Sequence, residues 1–181
     1  MKLTVIIAAA CALAASGALA QTPRMAPSQP STSGATPSQT APAAQDFVNK
    51  VAISDMFEIQ SSRLALTKQP DKDTKPFAEK MVRDHQKTSN ELKSLVDSGK
   101  VKAKLPTTLD SEHQQMLDGL KAKGGKDFDS SYDEIQVKAH EDAVALFDAN
   151  AKGGDDAELK KWAGKTLPHL KEHLSMAQKL K

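Results

Sequence analysis

Four long stretches of this chain carry apolar residues every three or four positions, the spacing that puts side chains on one face of an α-helix. The second is the clearest: Phe77, Met81, His85, Thr88, Leu92 and Leu95 form a single stripe, with one histidine in the middle of it. In the first, Phe47, Val51, Ser54, Glu58, Ser62 and Ala65 share a side, flanked by Val48, Ala52, Ile59 and Leu66. The third carries Phe128, Tyr132, Ile135, Gln136, Ala139, His140, Ala143, Leu146 and Phe147, and the fourth Leu159, Trp162, Ala163, Thr166, Leu170, His173, Ala177 and Leu180. Each stripe therefore includes an inward polar residue, which needs a partner wherever water is excluded.

Local signals set the ends of these helices. Asp46 is a candidate N-cap for a first helix over 47–68, and Asp73 or Thr74 with Pro76 opens a second that ends at Ser98-Gly99. A short helix over 110–123, with Met116, Leu117 and Leu120 as its apolar contacts, is broken by Gly124-Gly125. The third long helix covers 126–152. Asp155 with Glu158 resembles a capping box for the fourth, in which Pro168 is expected to produce a kink. Two short links and one middle connection of roughly 25 residues predict an all-α, ferritin-like four-helix bundle over residues 46–181, with the short extra helix in a crossover that runs its length.

The chain ahead of residue 46 is built differently. Met1–Ala20 has one early charge, Lys2, then an apolar run and the small residues Ala18-Leu19-Ala20, the pattern of a cleavable signal peptide. Its apolar run is too short for the ~20 residues of a membrane span, so the mature chain is expected to be periplasmic or secreted, with no span. Cleavage at Ala20 also removes Cys11, leaving a mature chain without cysteine and so without disulfides or thiolate ligands. Residues 21–45 are rich in Pro, Ser, Thr, Gln and Ala and read as a disordered tether. Lys and Arg total 25 against 23 Asp and Glu, a formal charge of +2 with no basic run, which argues against nucleic acid as a partner.

The candidate chemistry is carried by the inward polar residues. At ~1.5 Å per residue, Glu58 and His85 both lie about 18 Å from the first turn, and His140, His169 and His173 lie at similar depth in the second hairpin. Glu58, His85, His140 and His173 therefore offer one polar group per helix near mid-bundle, with His169 one turn from His173 on a neighbouring face. Imidazole and carboxylate suit one divalent transition metal, Zn, Cu, Fe or Mn. A buried polar network that fixes helix register is the competing account. Asp84, Glu141 and Glu172 each adjoin a histidine, but neighbouring helical residues point about 100° apart, so these are expected to face solvent. Met81, Met176, Trp162 and Tyr132 read as core, and His113 as a surface histidine. No nucleophile elbow, phosphate loop or His-Glu-x-x-His helix is present, so no reaction is legible.

Several segments together resemble the domain-of-unknown-function family numbered 4142: Phe47-Val48 through Glu58-Ile59, Phe77 through His85, Phe128 through His140-Glu141, and Leu167-Pro168-His169 through His173. The resemblance covers residues 46–180. It implies a ferritin-like bundle, exported to the periplasm or envelope, whose biochemistry is open. Ferritin-like di-iron proteins use Glu-x-x-His on two helices. Here the residues three before His85, His140 and His173 are Val82, Val137 and Leu170, so a single histidine-rich metal fits better than a di-iron centre. Two functions follow. One is a core metal site serving sequestration or stress protection. The other is a non-catalytic interaction module with a structural polar core that binds an envelope protein partner. An oxidoreductase at the metal would need an open coordination position.

Overall fold

Side-chain oxygens satisfy the first backbone N–H groups of three of the five helices, and glycines end two. In the computed structural model, which describes residues 41–180, the elements are α1 (Ala44–Thr67), α2 (Thr74–Asp97), α3 (Ser111–Lys121), α4 (Gly125–Gly153) and α5 (Ala157–Ala177). All of these lie in the compact unit Pro37–Lys181. The proposed signal peptide and most of the proline-rich tether lie outside the described residues. At α2 the N-cap position is Asp73, one of the two expected, and the accepting side chain is that of Asp71, whose Oδ1 takes the N–H groups of Asp73 and Thr74 at 2.8 and 2.7 Å. Asp110 caps α3 through the N–H of His113 at 2.9 Å. Gly99, at φ +72°, ends α2 in the left-handed conformation that glycine adopts without steric cost.

Two of the expected caps are corrected. The first helix begins at Ala44 with no side-chain cap, and Asp46 falls in its first turn, where its charge meets the positive helix end. Gln45 is held instead by a reciprocal pair of 2.8 Å bonds with the backbone N–H and carbonyl of Lys104. For the last helix the cap is Asp156, which accepts from Leu159 N–H at 2.9 Å, so Asp155 and Glu158 form no capping box. The shift follows from backbone geometry: Asp156 is the extended residue at φ −107°, ψ 124°, and the third position after it is Leu159. Pro168 is accommodated inside α5.

The connection between α2 and α4 fixes the topology. It leaves the start of α1 at the Gln45–Lys104 clamp and reaches the opposite end, where Lys68 Nζ donates to the carbonyls of Lys121 and Lys123 at 2.9 and 2.8 Å. Consequently α4 starts beside the end of α1, with Tyr132 Oη 2.8 Å from Ser62 Oγ, and finishes beside its start, with Phe147 against Phe47. The order is therefore up, down, crossover, down, up: an all-α, ferritin-like four-helix bundle with α3 as the extra helix. The tightest pairs are α1 with α2 and α4 with α5.

The core is in two parts. One end is packed by Phe47, Val48, Val51, Leu92, Phe147, Leu159 and Trp162, to which Val101 of the connection adds its side chain. The other holds Phe57, Phe77, Met81, Phe128 and Tyr132, covered by Leu117 and Leu120 of α3. Between them lies a buried layer with Asp55, Glu58, His85, Gln136, His140 and His173.

Candidate metal centre

The layer is built one helix at a time. His85 of α2, His140 of α4 and His173 of α5 are buried, at 4, 1 and 3 % exposure, and their ring centroids lie 5.4–5.6 Å apart. One nitrogen of each ring lies within 4.8 Å of the other two. The second nitrogen of each ring is anchored. His85 Nδ1–H donates to Asp55 Oδ1 of α1 at 2.8 Å, and Ser89 Oγ–H donates to the other oxygen of Asp55 at 3.1 Å. His140 Nδ1–H donates to the carbonyl of Gln136 at 2.8 Å, one turn back on its own helix. His173 Nε2–H donates to Asp84 Oδ2 of α2 at 2.8 Å. Carboxylate and carbonyl oxygens only accept, so each bond fixes the tautomer and aims the other nitrogen. Those others, His85 Nε2, His140 Nε2 and His173 Nδ1, are buried and have no hydrogen-bond partner.

Charge in this layer is set by burial and by the few partners present. Burial drives the pKa of His140 down to about 3 and that of His173 to about 4, with the neighbouring His85 pushing the same way. Both rings are therefore neutral at ordinary pH, the form in which imidazole is a ligand. Burial also opposes charge on His85, but the Asp55 carboxylate outweighs it and holds His85 above its usual value. Burial lifts Asp55 above the usual carboxylate range, against the pull of His85 and Ser89. Partial burial works against the charge on Asp84, but Lys80 and His173 prevail and keep it low. Burial pushes Glu58 up to about 7, although His85 and the Gln136 amide beside it favour its charge.

The three histidines on the expected helix stripes thus meet. Glu58, at 1 % exposure, lies in the same layer and is felt electrostatically by His85, but it does not join the histidine group, and both its oxygens lack a hydrogen-bond partner. His169 is exposed and lies outside the group, on the wall of a cleft between α2 and α5. Asp84 corrects the expectation that it faces solvent. It is half-buried and bonded to His173, because α5 packs beside both Asp84 and His85 of α2. Glu141 and Glu172 are exposed as expected, Glu172 pairing with Lys80 at 3.4 Å. The sequence reading missed Asp55 and put Ser54 on the inward side instead. Asp55 stands four residues after Val51 and three before Glu58, a helical spacing that the reading passed over.

The remaining side chains behave as core. Trp162 Nε1–H donates to Glu91 at 2.9 Å, and Met81 and Met176 pack with the second apolar cluster. His113 is half-buried, bonded to Asp110 at 2.7 Å and edge-on to Phe57. Among the described residues no helix is long and apolar enough to cross a membrane.

The sequence profile of the domain of unknown function DUF4142 matches residues 29–180. No curated protein matches the chain in sequence. Among solved structures, CopM in its Cu(II)-bound form is similar at a TM-score of 0.64 and 18 % identity, covering 77 % of this chain and 96 % of that one. CopM in its Cu(I)-bound form is similar at a TM-score of 0.61 and 18 % identity, covering 75 % and 93 %. At that identity the likeness is one of fold.

Proposed function

We propose that this chain, which belongs to the DUF4142 family, binds one transition-metal ion through His85, His140 and His173. The observation that carries the reading is the set of three buried ring nitrogens without partners, drawn from three helices and pointing at common space while each ring's other nitrogen is anchored. A network built only for register would satisfy those nitrogens with one another or with Glu58, and a buried polar atom left unmade costs about 1–3 kcal/mol. Anchoring by Asp55, Asp84 and a backbone carbonyl is the outer-shell arrangement that orients metal-ligating histidines.

Three imidazoles and a nearby carboxylate suit copper or zinc, and copper binds such donors more tightly within the divalent series. Copper is the first metal to test because CopM, which shares the fold, is described in both Cu(II)-bound and Cu(I)-bound forms. The signal-peptide pattern of Met1–Ala20 supports an exported protein, for which sequestration of a metal or protection against it is the fitting role. The residues serve binding in this reading, and no reaction is assigned.

The test is elemental analysis of protein purified without affinity tag or chelator, beside the double variant His85→Gln, His173→Gln. About one equivalent of metal per chain, lost in the variant, is the expected result. Protein that arrives empty and gains no thermal stability from added Cu(II), Zn(II), Fe(II) or Mn(II) would sink the reading.

A further inference from the structure

Two clefts approach the histidine layer, and they differ in which of the three rings they reach. The larger, about 720 Å³, lies between α1 and α4 beneath α3. It reaches only His85 of the three, along a wall that mixes apolar side chains such as Ala143 and Leu146 with charged ones such as Asp110 and Glu134. The smaller, about 270 Å³, lies between α2 and α5 and exposes His85 and His173 together. Of the residues outside the triad that line this second cleft, two bear most directly on passage through it. One is His169, exposed and one turn before His173 on the same helix, at the i,i+4 spacing that makes two side chains neighbours on a helix surface. The other is Lys80, whose ammonium pairs with Asp84 at 2.9 Å on its own helix and with Glu172 at 3.4 Å on α5, spanning the cleft.

We infer that the α2–α5 cleft is the route by which the cation reaches and leaves the triad, with His169 as its outer ligand; this rests on the triad reading above. A metal aqua ion exchanges water for protein ligands one at a time, and once one nitrogen holds it a second binds at high effective concentration, so a cleft that opens on two triad histidines captures it faster than one that opens on a single one. His169 supplies an outer donor within one helical turn of His173, whose partnerless Nδ1 and that of His85, Nε2, are the next available nitrogens. The α1–α4 cleft has donors of its own, among them Asp110, Glu112 and His113, but of the triad it reaches His85 alone. Lys80 acts in the opposite sense: it holds a positive charge at the cleft and ties its walls together, so it slows both arrival and departure.

The experiment measures how fast the full-length protein takes up Cu(II), and separately Zn(II), and how fast a chromophoric chelator strips them, alongside the equilibrium affinity. His169→Gln is expected to slow uptake and stripping together by about tenfold with affinity unchanged. Lys80→Met is expected to speed uptake, and Ala143→Leu, which narrows the other cleft, to leave both rates as they were. Unchanged rates in His169→Gln, or slowing by Ala143→Leu, would overturn the route while leaving the triad standing. Wild-type protein that takes up neither metal would sink the triad reading, and the route with it.

Discussion

The Phe47 end of the bundle and its histidine layer are packed to similar burial with opposite consequences. At the end, Phe47 meets Phe147 edge-on at 5.2 Å and Trp162 at 6.3 Å, Phe147 and Trp162 lie 5.5 Å apart, and the one polar group among them, the indole N–H, is bonded to Glu91. Everything there lowers the free energy of folding. In the layer, both oxygens of Glu58 and one nitrogen of each of three histidines are withdrawn from water with nothing to replace it. Groups of that kind weaken a fold. The ends therefore hold the fold and the layer costs it stability, a cost that the proposed metal site would account for.

The sharpest break in that contrast is at the end. Phe47→Ala should cost about 3–5 kcal/mol in urea unfolding, the range for a large aromatic lost from a core, and leave metal stoichiometry intact in the fraction that folds. A loss below about 1 kcal/mol would mean that the aromatic end is not where stability resides.

Glu58→Gln should do the reverse. The folded pKa of Glu58, about 7, lies above its ordinary 4.5, so between those values the folded chain binds the proton more tightly than the unfolded one. The carboxyl therefore costs nothing below pH 4.5, and its cost grows until it is complete above pH 7. Metal-free Glu58→Gln is expected to gain up to about 3 kcal/mol at pH 8 and nothing at pH 4. Thermal melts at the two pH values decide it, and an equal change at both would contradict the account.

The histidines bend the acid limb the other way. Folded His140 and His173 titrate at about 3 and about 4 against 6.5 ordinarily, so the unfolded chain takes up protons first as pH falls. Their contribution to stability is present above pH 6.5 and is lost progressively down to those values. In the metal-free protein His140→Gln should flatten the decline between pH 6.5 and pH 4 by up to about 3 kcal/mol. A decline of wild-type steepness would show that this ring does not stay neutral in the fold.

Asp55→Asn tests the anchoring bonds. An amide in place of the carboxylate weakens the grip on His85 Nδ1–H, and metal affinity should fall about 10- to 100-fold with the stoichiometry retained. Competition with a chelator of known affinity reads this directly. Smallest of the effects, Tyr132→Phe removes the bond to Ser62 and should cost about 1 kcal/mol with no change in metal affinity. A fall in affinity would mean that the apolar end and the layer are mechanically coupled.

Much of this molecule follows from periodicity that sequence alone displays. The four stripes, the glycine stops and the link lengths are local properties, and they led to a four-helix bundle with a crossover and to His85, His140 and His173 on inward faces. Cap positions were legible only to within a residue or two, because Asp46, Asp155 and Asp156 are equally able caps until the backbone chooses. The sequence also showed that polar groups occur at matching depth, since rise per residue is constant.

What tertiary structure alone decided is which of those groups meet and which partner holds each ring. Asp84 sits beside His85 in sequence yet serves His173, 89 positions away, because α5 packs beside both. Asp55 rather than Glu58 took His85, although both lie on the inward side of α1. His169 and His173 are one turn apart on α5, but one is exposed and the other buried. A one-dimensional pattern fixes the angle at which a side chain leaves its own helix. It carries no information about the rotation of a neighbouring helix about its axis, and a difference of a few tens of degrees there is enough to exchange one carboxylate for another.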